Sequence, residues 1–373
     1  VRLSPVLESL ATYPFLALDE AKAAATARGI TLIDFGVGEP REETPAFIRA
    51  ALAAALEPVS TYPRAAGLPE LRAAIAAWAE RRFGAALDPA TEVVPTFGSK
   101  EAVFHLAQVV AGDVVAVTTP GYPVAARGAR FAGRAVVELP LRAEDDFLPD
   151  LDALATDGLA ILWLNYPNNP TGATVPLPWL ERAAALARRH DFVLACDEAY
   201  SELWFDGPPP ASALQLADRT NVAVLNTLSK RSSMPGYRSG FVAGDARLVA
   251  ALKRYRPNVG VAPQDFVQRA SVAAWGDEEH VAAVRARYRA KRDVLLPALE
   301  AAGFTNAGGP ASFFLWLRTP AGEDDAAAAL RLLERGIVCM PGSFFGPTGA
   351  GYLRFALVPT PEACAEAATR LAA

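Results

Sequence analysis

The sequence predicts an α/β fold: a largely parallel sheet between two layers of helices, followed by a smaller α+β unit. Three observations predict it. Between about residues 90 and 245, short apolar, β-branched runs alternate with longer helical patterns. Those runs are apolar throughout instead of alternating with polar residues, which marks strands buried on both faces. After residue 275 the pattern gives way to long charged helices with short strands behind them.

The elements follow in chain order. EVVPTF (92–97) reads as a strand and SKEAVFHLAQVV (99–110) as the helix after it. DVVAVTTP (113–120), RAVVELPL (134–141) and LAILWLNYP (159–167) are strand runs, and PLPWLERAAALARRH (176–190) is a helix. FVLACDEAY (192–200), NVAVLNTLSK (221–230) and GFVAGD (240–245) complete the series. A long helix over EEHVAAVRARYRAKRDVLLPALEAAG (278–303) opens the second unit, and SFFLWLR and GYLRFALV supply its strands. The expected division is residues 1–40 as an N-terminal arm contributing to the small unit, 41–274 as the large unit and 275–373 as the small one.

Composition narrows the function. The 373 residues are 52% hydrophobic and 21% charged, with Lys+Arg 36 against Asp+Glu 41 and a net charge of -5. No basic run offers a nucleic-acid surface. No stretch is long and apolar enough to span a bilayer, and the first residues lack a signal-peptide core, so the expected location is the cytoplasm. Three widely spaced cysteines (Cys196, Cys339, Cys364) read as reduced thiols, and three scattered histidines give no metal-ligand spacing.

Parallel sheets take ligands at the carboxyl ends of their strands, so the residues after each apolar run matter most. Five lysines are present. Lys22, Lys253 and Lys291 fall in charge-rich helical patterns and are expected on solvated faces. Lys100 opens a helix after a turn, where it serves either a phosphate or the surface. Lys230 follows the strand AVLNT, at the mouth of the expected crevice. Partial desolvation there lowers an amine's pKa and makes it nucleophilic; on this segment alone, a lysine capping a strand end in solvent is an equal reading.

Three other strand ends bear on the choice. Asn168 and Asn169 lie in a proline-bracketed turn, Asp197 ends an apolar run with Tyr200 three residues on, and GSKE starts a helix whose first amides are free for an anion. Taken singly, Asp197 could be a helix cap, NPTG a plain turn and GSKE a capping box.

The order VGEP, GSKE, PGYP, NNPTG, DEAY, SK(x7)R and YLRFAL resembles the class I/II aminotransferases of pyridoxal-phosphate fold type I, over essentially the whole chain. The resemblance implies a seven-stranded, mostly parallel sheet in the large domain and pyridoxal 5'-phosphate as cofactor. It implies that Lys230 carries the cofactor, that Asp197 pairs with the ring nitrogen, and that Tyr200 and Asn169 reach the ring hydroxyl oxygen. Ser99, Lys100, Thr227, Ser229 and Arg238 would hold the phosphate, and Tyr122 would stack on the ring. Tyr62 would reach the phosphate of the partner subunit in a homodimer, and Arg354, with the Gly38 backbone nearby, would take the substrate α-carboxylate. Tyrosine at position 122, where aspartate enzymes often carry tryptophan, departs from the aspartate pattern.

YPF at Tyr13, SKRSSMPGYRSGFVAGD and PGSFFGPTGAGYLRFALVPTPE resemble the N-succinyldiaminopimelate aminotransferases of lysine biosynthesis. That resemblance implies an amino acid and a 2-oxo acid as substrates, with the succinylated diaminopimelate skeleton as donor. Aspartate, alanine or aromatic donors are the alternatives on the same scaffold, and a carbon–sulfur β-lyase is the rival reaction. A cofactor-binding regulator would carry an added DNA-binding domain. Arg41, Arg64 and Arg256 are the basic residues considered for the distal end of a long substrate, each more readily a surface residue.

Overall fold

The computed structural model describes residues 1–9 and 15–372; Tyr13 lies outside them. Their strands, in chain order, are β1 (Ile33–Asp34), β2 (Val93–Phe97), β3 (Val114–Thr119), β4 (Ala135–Pro140), β5 (Leu159–Asn165), β6 (Val193–Asp197), β7 (Val222–Thr227), β8 (Ser239–Gly244), β9 (Thr305–Asn306), β10 (Phe314–Arg318), β11 (Ile337–Val338), β12 (Met340–Pro341) and β13 (Tyr352–Ala356).

A seven-stranded sheet runs in the order β2-β8-β7-β6-β5-β3-β4. β8 is antiparallel to both β2 and β7, and every other pairing in the sheet is parallel. Every residue of the central strands β5, β6, β7 and β8 is buried, whereas the edge strand β4 is largely exposed. Successive side chains point to opposite faces. Leu162, Leu194, Cys196, Val222 and Val224 therefore pack under the helices Pro69–Phe83, Leu177–His190 and Asp265–Gly276. Ile161, Trp163, Ala195, Ala223 and Leu225 meet the helices Ser99–Val109, Val124–Phe131 and Ala246–Tyr255 on the other side. Two covered faces explain the uniformly apolar runs.

The C-terminal part has its own antiparallel sheet, β12-β13-β10-β9, and its own core, which includes Leu295, Phe313, Leu317 and Phe355. β1 pairs in parallel with β11, and the Phe35 carbonyl accepts the Ala356 amide at 2.8 Å, which ties residues 33–35 into this unit. The long helix Glu279–Ala301 covers it. These two-residue strands had no sequence signature. Cys196, Cys339 and Cys364 are buried free thiols. No described helix is long and apolar enough to cross a membrane.

One expectation is corrected here. Lys22 and Lys253 are partly buried, bonded at 2.7 Å to Asp34 and to the Ala90 carbonyl, and Lys291 is fully buried, with 1% of its side chain exposed. The charged pattern of its helix hid an inward face that has an acidic partner.

Candidate active site

The carboxyl ends of β5, β6 and β7 open into a cavity of about 520 Å³. Its lining brings together Gly38, Ser99, Lys100, Tyr122, Asn169, Asp197, Tyr200, Thr227, Ser229, Lys230, Arg238 and Arg354. Tyr62 is not among them and is fully exposed on the chain.

Each group arrives by a local device. Lys230 sits in the one-turn helix Leu228–Arg231, which the Thr227 hydroxyl caps by accepting the Ser229 amide. Its Nζ donates to the Gly38 carbonyl at 2.8 Å and lies 5.3 Å from the Phe313 ring centre. Burial, reinforced by the positive charges of Arg354 and Arg238, lowers the Lys230 ammonium from its ordinary 10.5 to about 8. Asp197 ends β6, where its carboxylate accepts the Ala199 amide at 3.3 Å. Burial raises it from 3.8 to about 6, against the pull of that bond and of Lys230. Asn165, the last residue of β5, donates to the Asp197 carbonyl and accepts the Asn169 amide, so it couples the two strand ends.

Arg354 reaches the cavity from β13. Its Nη1 donates to Asn169 Oδ1 at 2.9 Å and its Nη2 to the Gly36 carbonyl at 2.6 Å. The guanidinium lies 4.5 Å from the ring centres of both Phe314 and Phe345. Burial lowers it to about 10, so it stays cationic at neutral pH. A side chain at position 38 would stand 2.8 Å from Phe314, which accounts for Gly38.

At the opposite end is an anion cradle. The first amides of the helix Ser99–Val109 lack intrahelical partners by construction. Thr227 donates to the Ser239 carbonyl at 2.8 Å and lies 2.9 Å from the Ser229 hydroxyl. Arg238 donates to the Pro235 carbonyl at 2.7 Å, and a Cβ on Gly98 would fall 2.4 Å from its guanidinium. With φ at +70, that position calls for glycine.

The cavity thus pairs a cradle for a dianion with a buried carboxylate, an aromatic side chain at Tyr122, and a lysine with a lowered pKa. The family model for class I and II aminotransferases matches residues 30–371. The chain belongs to this family. Class I and II aminotransferases use pyridoxal phosphate, and the cradle, the single-bonded Asp197 and the buried Lys230 fit its phosphate, ring nitrogen and aldehyde. The LL-diaminopimelate aminotransferase of Nitratidesulfovibrio vulgaris (strain DSM 19637 / Miyazaki F) is 38% identical over 383 residues, spanning 100% of this chain and 98% of that protein. An aminotransferase from Neisseria meningitidis Z2491 superposes with a TM-score of 0.91 at 35% identity, covering 99% of both chains. A probable N-succinyldiaminopimelate aminotransferase from Thermus thermophilus gives 0.87 at 35% identity, over 96% of this chain and 98% of that one.

Sequence reasoning missed several lining groups. Arg127, from the helix Val124–Phe131, lines the cavity, and no partner of its guanidinium is found among the described residues. Gly36 and Asn165 were also unforeseen. Of the basic residues considered for a distal contact, Arg41 and Arg64 are exposed and outside the cavity. Arg256 is completely buried, bonded to the Ala65 and Pro95 carbonyls and 3.4 Å from Glu101. It is a structural ion pair of the large unit.

Proposed function

We propose that this aminotransferase acts on the diaminopimelate skeleton in its N-succinyl form, exchanging the amino group with 2-oxoglutarate. The observation that carries the reading is Arg127, a cavity-lining cation with no partner among the described residues and no place in the phosphate cradle. Arg354 is buried and bonded, whereas Arg127 is partly exposed and has no bond to any described residue. A substrate with carboxylates at both ends, such as diaminopimelate in either its succinylated or its free form, satisfies both, while a small neutral donor leaves Arg127 unused. The succinylated form is favoured by the 35% identical neighbour named as a probable N-succinyldiaminopimelate aminotransferase.

The residues then divide the work. Bound pyridoxal phosphate would supply an electron sink for the substrate Cα. Asp197 holds a proton on the ring nitrogen. Asn169 and Tyr200 reach the ring hydroxyl oxygen, and Tyr122 covers the ring face. Ser99, Lys100, Thr227, Ser229 and Arg238 bind the phosphate. Arg354 grips the α-carboxylate and so orients the Cα–H bond. Lys230, with its lowered pKa, would hold the cofactor through its amine and, as a neutral amine, would take and return the substrate Cα proton. Tyr62, exposed on one chain, completes the phosphate site of a partner in a homodimer.

A second reading has its own support: the 38% identical relative is named for free LL-diaminopimelate. The experiment is one ranking of kcat/KM for succinylated diaminopimelate, free LL-diaminopimelate, glutamate, aspartate, alanine and phenylalanine. The succinylated donor is expected first. A lead of about tenfold for the free LL form selects the second reading, and an equal lead for alanine or phenylalanine removes both. Pyruvate and ammonia from a cysteine conjugate, without an acceptor, would point to β-lyase chemistry.

A further inference from the structure

Directly behind the Arg354 end of the cavity lies a buried ion pair that the reaction does not use. Lys291 donates to Glu42 Oε1 and, at 3.1 Å, to the Leu357 carbonyl. The Tyr288 hydroxyl donates to the other Glu42 oxygen at 3.0 Å. Only 1% of the Lys291 side chain and 5% of that of Glu42 are exposed. Both charges have lost their water, and apolar packing of the same volume would avoid that cost. A buried pair of this kind is therefore poorly explained by stability alone.

Its placement offers another explanation. Leu357 directly follows β13, the strand that presents Arg354. Glu42 lies on the strap that runs from Gly36 to Thr44. The Gly36 carbonyl accepts Arg354 Nη2 at 2.6 Å, and the Gly38 carbonyl accepts Lys230 Nζ at 2.8 Å. Lys291 thus joins the two backbone segments that meet at Arg354. Two residues further on, the Thr44 hydroxyl donates at 2.6 Å to the Ser233 carbonyl, just beyond Lys230. The Tyr288 ring packs 5.2 Å from Phe313, the same ring that faces Lys230.

We propose that Glu42, Lys291 and Tyr288 are positioning residues for substrate binding: they fix the Gly36–Thr44 strap against β13 and so set the geometry of the α-carboxylate site. They touch neither substrate nor cofactor. The inference rests on Arg354 as the α-carboxylate ligand.

The test uses the cofactor-loaded enzyme and the double variant Glu42→Leu/Lys291→Met, which removes both charges and leaves neither stranded. Glu42→Gln keeps shape and an acceptor for Tyr288, and answers the same question should the double variant fail to fold. The readouts are cofactor retention, KM and kcat for the amino donor, and the Kd of maleate, an unreactive dicarboxylate, from cofactor absorbance. The expected result is retained cofactor, a kcat within about threefold, and KM and Kd raised about tenfold or more, since small misplacements of a binding group are costly. Folded variants with unchanged KM and Kd, or with a loss in kcat alone, overturn the proposal. Arg354→Ala serves as the control. Normal maleate binding in that variant would overturn the Arg354 assignment and this inference with it, whereas normal binding in the double variant alone overturns only the inference.

Discussion

Lys230 and Lys291 stand on either side of one wall of aromatic rings. On the cavity side, Lys230 finds a single carbonyl partner and shares its surroundings with Arg354 and Arg238, and its ammonium is held near 8. On the packed side, Lys291 meets a carboxylate and a carbonyl, and the carboxylate has a tyrosine hydroxyl as well. Both are buried lysines. The difference lies in what each one is given to bond with, so burial marks a chemical group only where the surroundings leave it under-partnered.

The largest expected effect breaks the comparison outright if it fails. Lys230→Ala should lower steady-state transamination by roughly 10⁴-fold or more, as both nucleophile and proton carrier disappear. Borohydride should fix the cofactor to the peptide containing Lys230 in the native protein. Label on the Lys100 peptide would transfer the role.

Stability should move in opposite directions on the two sides. Lys291→Met strands Glu42 in the interior and should cost about 3–5 kcal/mol. Lys230→Met should stabilise the cofactor-free protein by up to about 3 kcal/mol. The sign follows from a folded-state pKa of about 8 against an ordinary 10.5: the unfolded chain binds the extra proton, so the gain is complete below pH 8 and fades towards 10.5. Asp197→Asn should also stabilise the cofactor-free protein, but in another window. Its carboxyl is raised from 3.8 to about 6, so the gain is complete above pH 6 and gone below 3.8. Denaturant melts across pH separate the three variants, and a destabilised Lys230→Met would erase the contrast.

Arg354→Ala should lose about 2–5 kcal/mol of transition-state binding, very roughly thirty- to several-thousand-fold in kcat/KM. Cofactor affinity should hardly change. Loss of cofactor with intact substrate efficiency would reassign the arginine to the other end of the cavity.

The smallest effect tests whether one chain holds a whole site. Tyr62→Phe should weaken cofactor binding by about 1.5–3 kcal/mol, the worth of a hydrogen bond to a charged group, and light scattering should find the enzyme to be a dimer. A fully active monomer at assay concentration would mean that the exposed Tyr62 has no such part.

The two lysines also show what a sequence can reveal. β5, β6, β7 and β8 were legible because strands covered on both faces must be short and uniformly apolar, and that constraint is local. Lys230, Asp197 and Asn169 were legible because parallel topology sends each strand end to the same edge. Lys291 was not, since its partner Glu42 is 249 residues away and the helix between its charged neighbours reads as solvated. Arg256 failed for the same reason: its place is set by Glu101 and by carbonyls from two other segments. Arg127 was overlooked among the many arginines of alanine-rich helices, where nothing local says which one faces inward. β1 and β11 pair over only two residues, too few for any periodicity.

The bonds of Arg354 to the Gly36 carbonyl and Asn169 Oδ1 have a thermodynamic consequence. One N–H of each terminal nitrogen is engaged before substrate arrives, while Nε–H is buried with no partner among the described residues. The two neutral oxygens therefore aim the guanidinium in advance and leave donors over, and the α-carboxylate proposed for this site would add charge-assisted hydrogen bonds to those donors without first having to break the existing ones. An ester or amide analogue of the same shape would gain less, because it offers the remaining donors only a neutral acceptor.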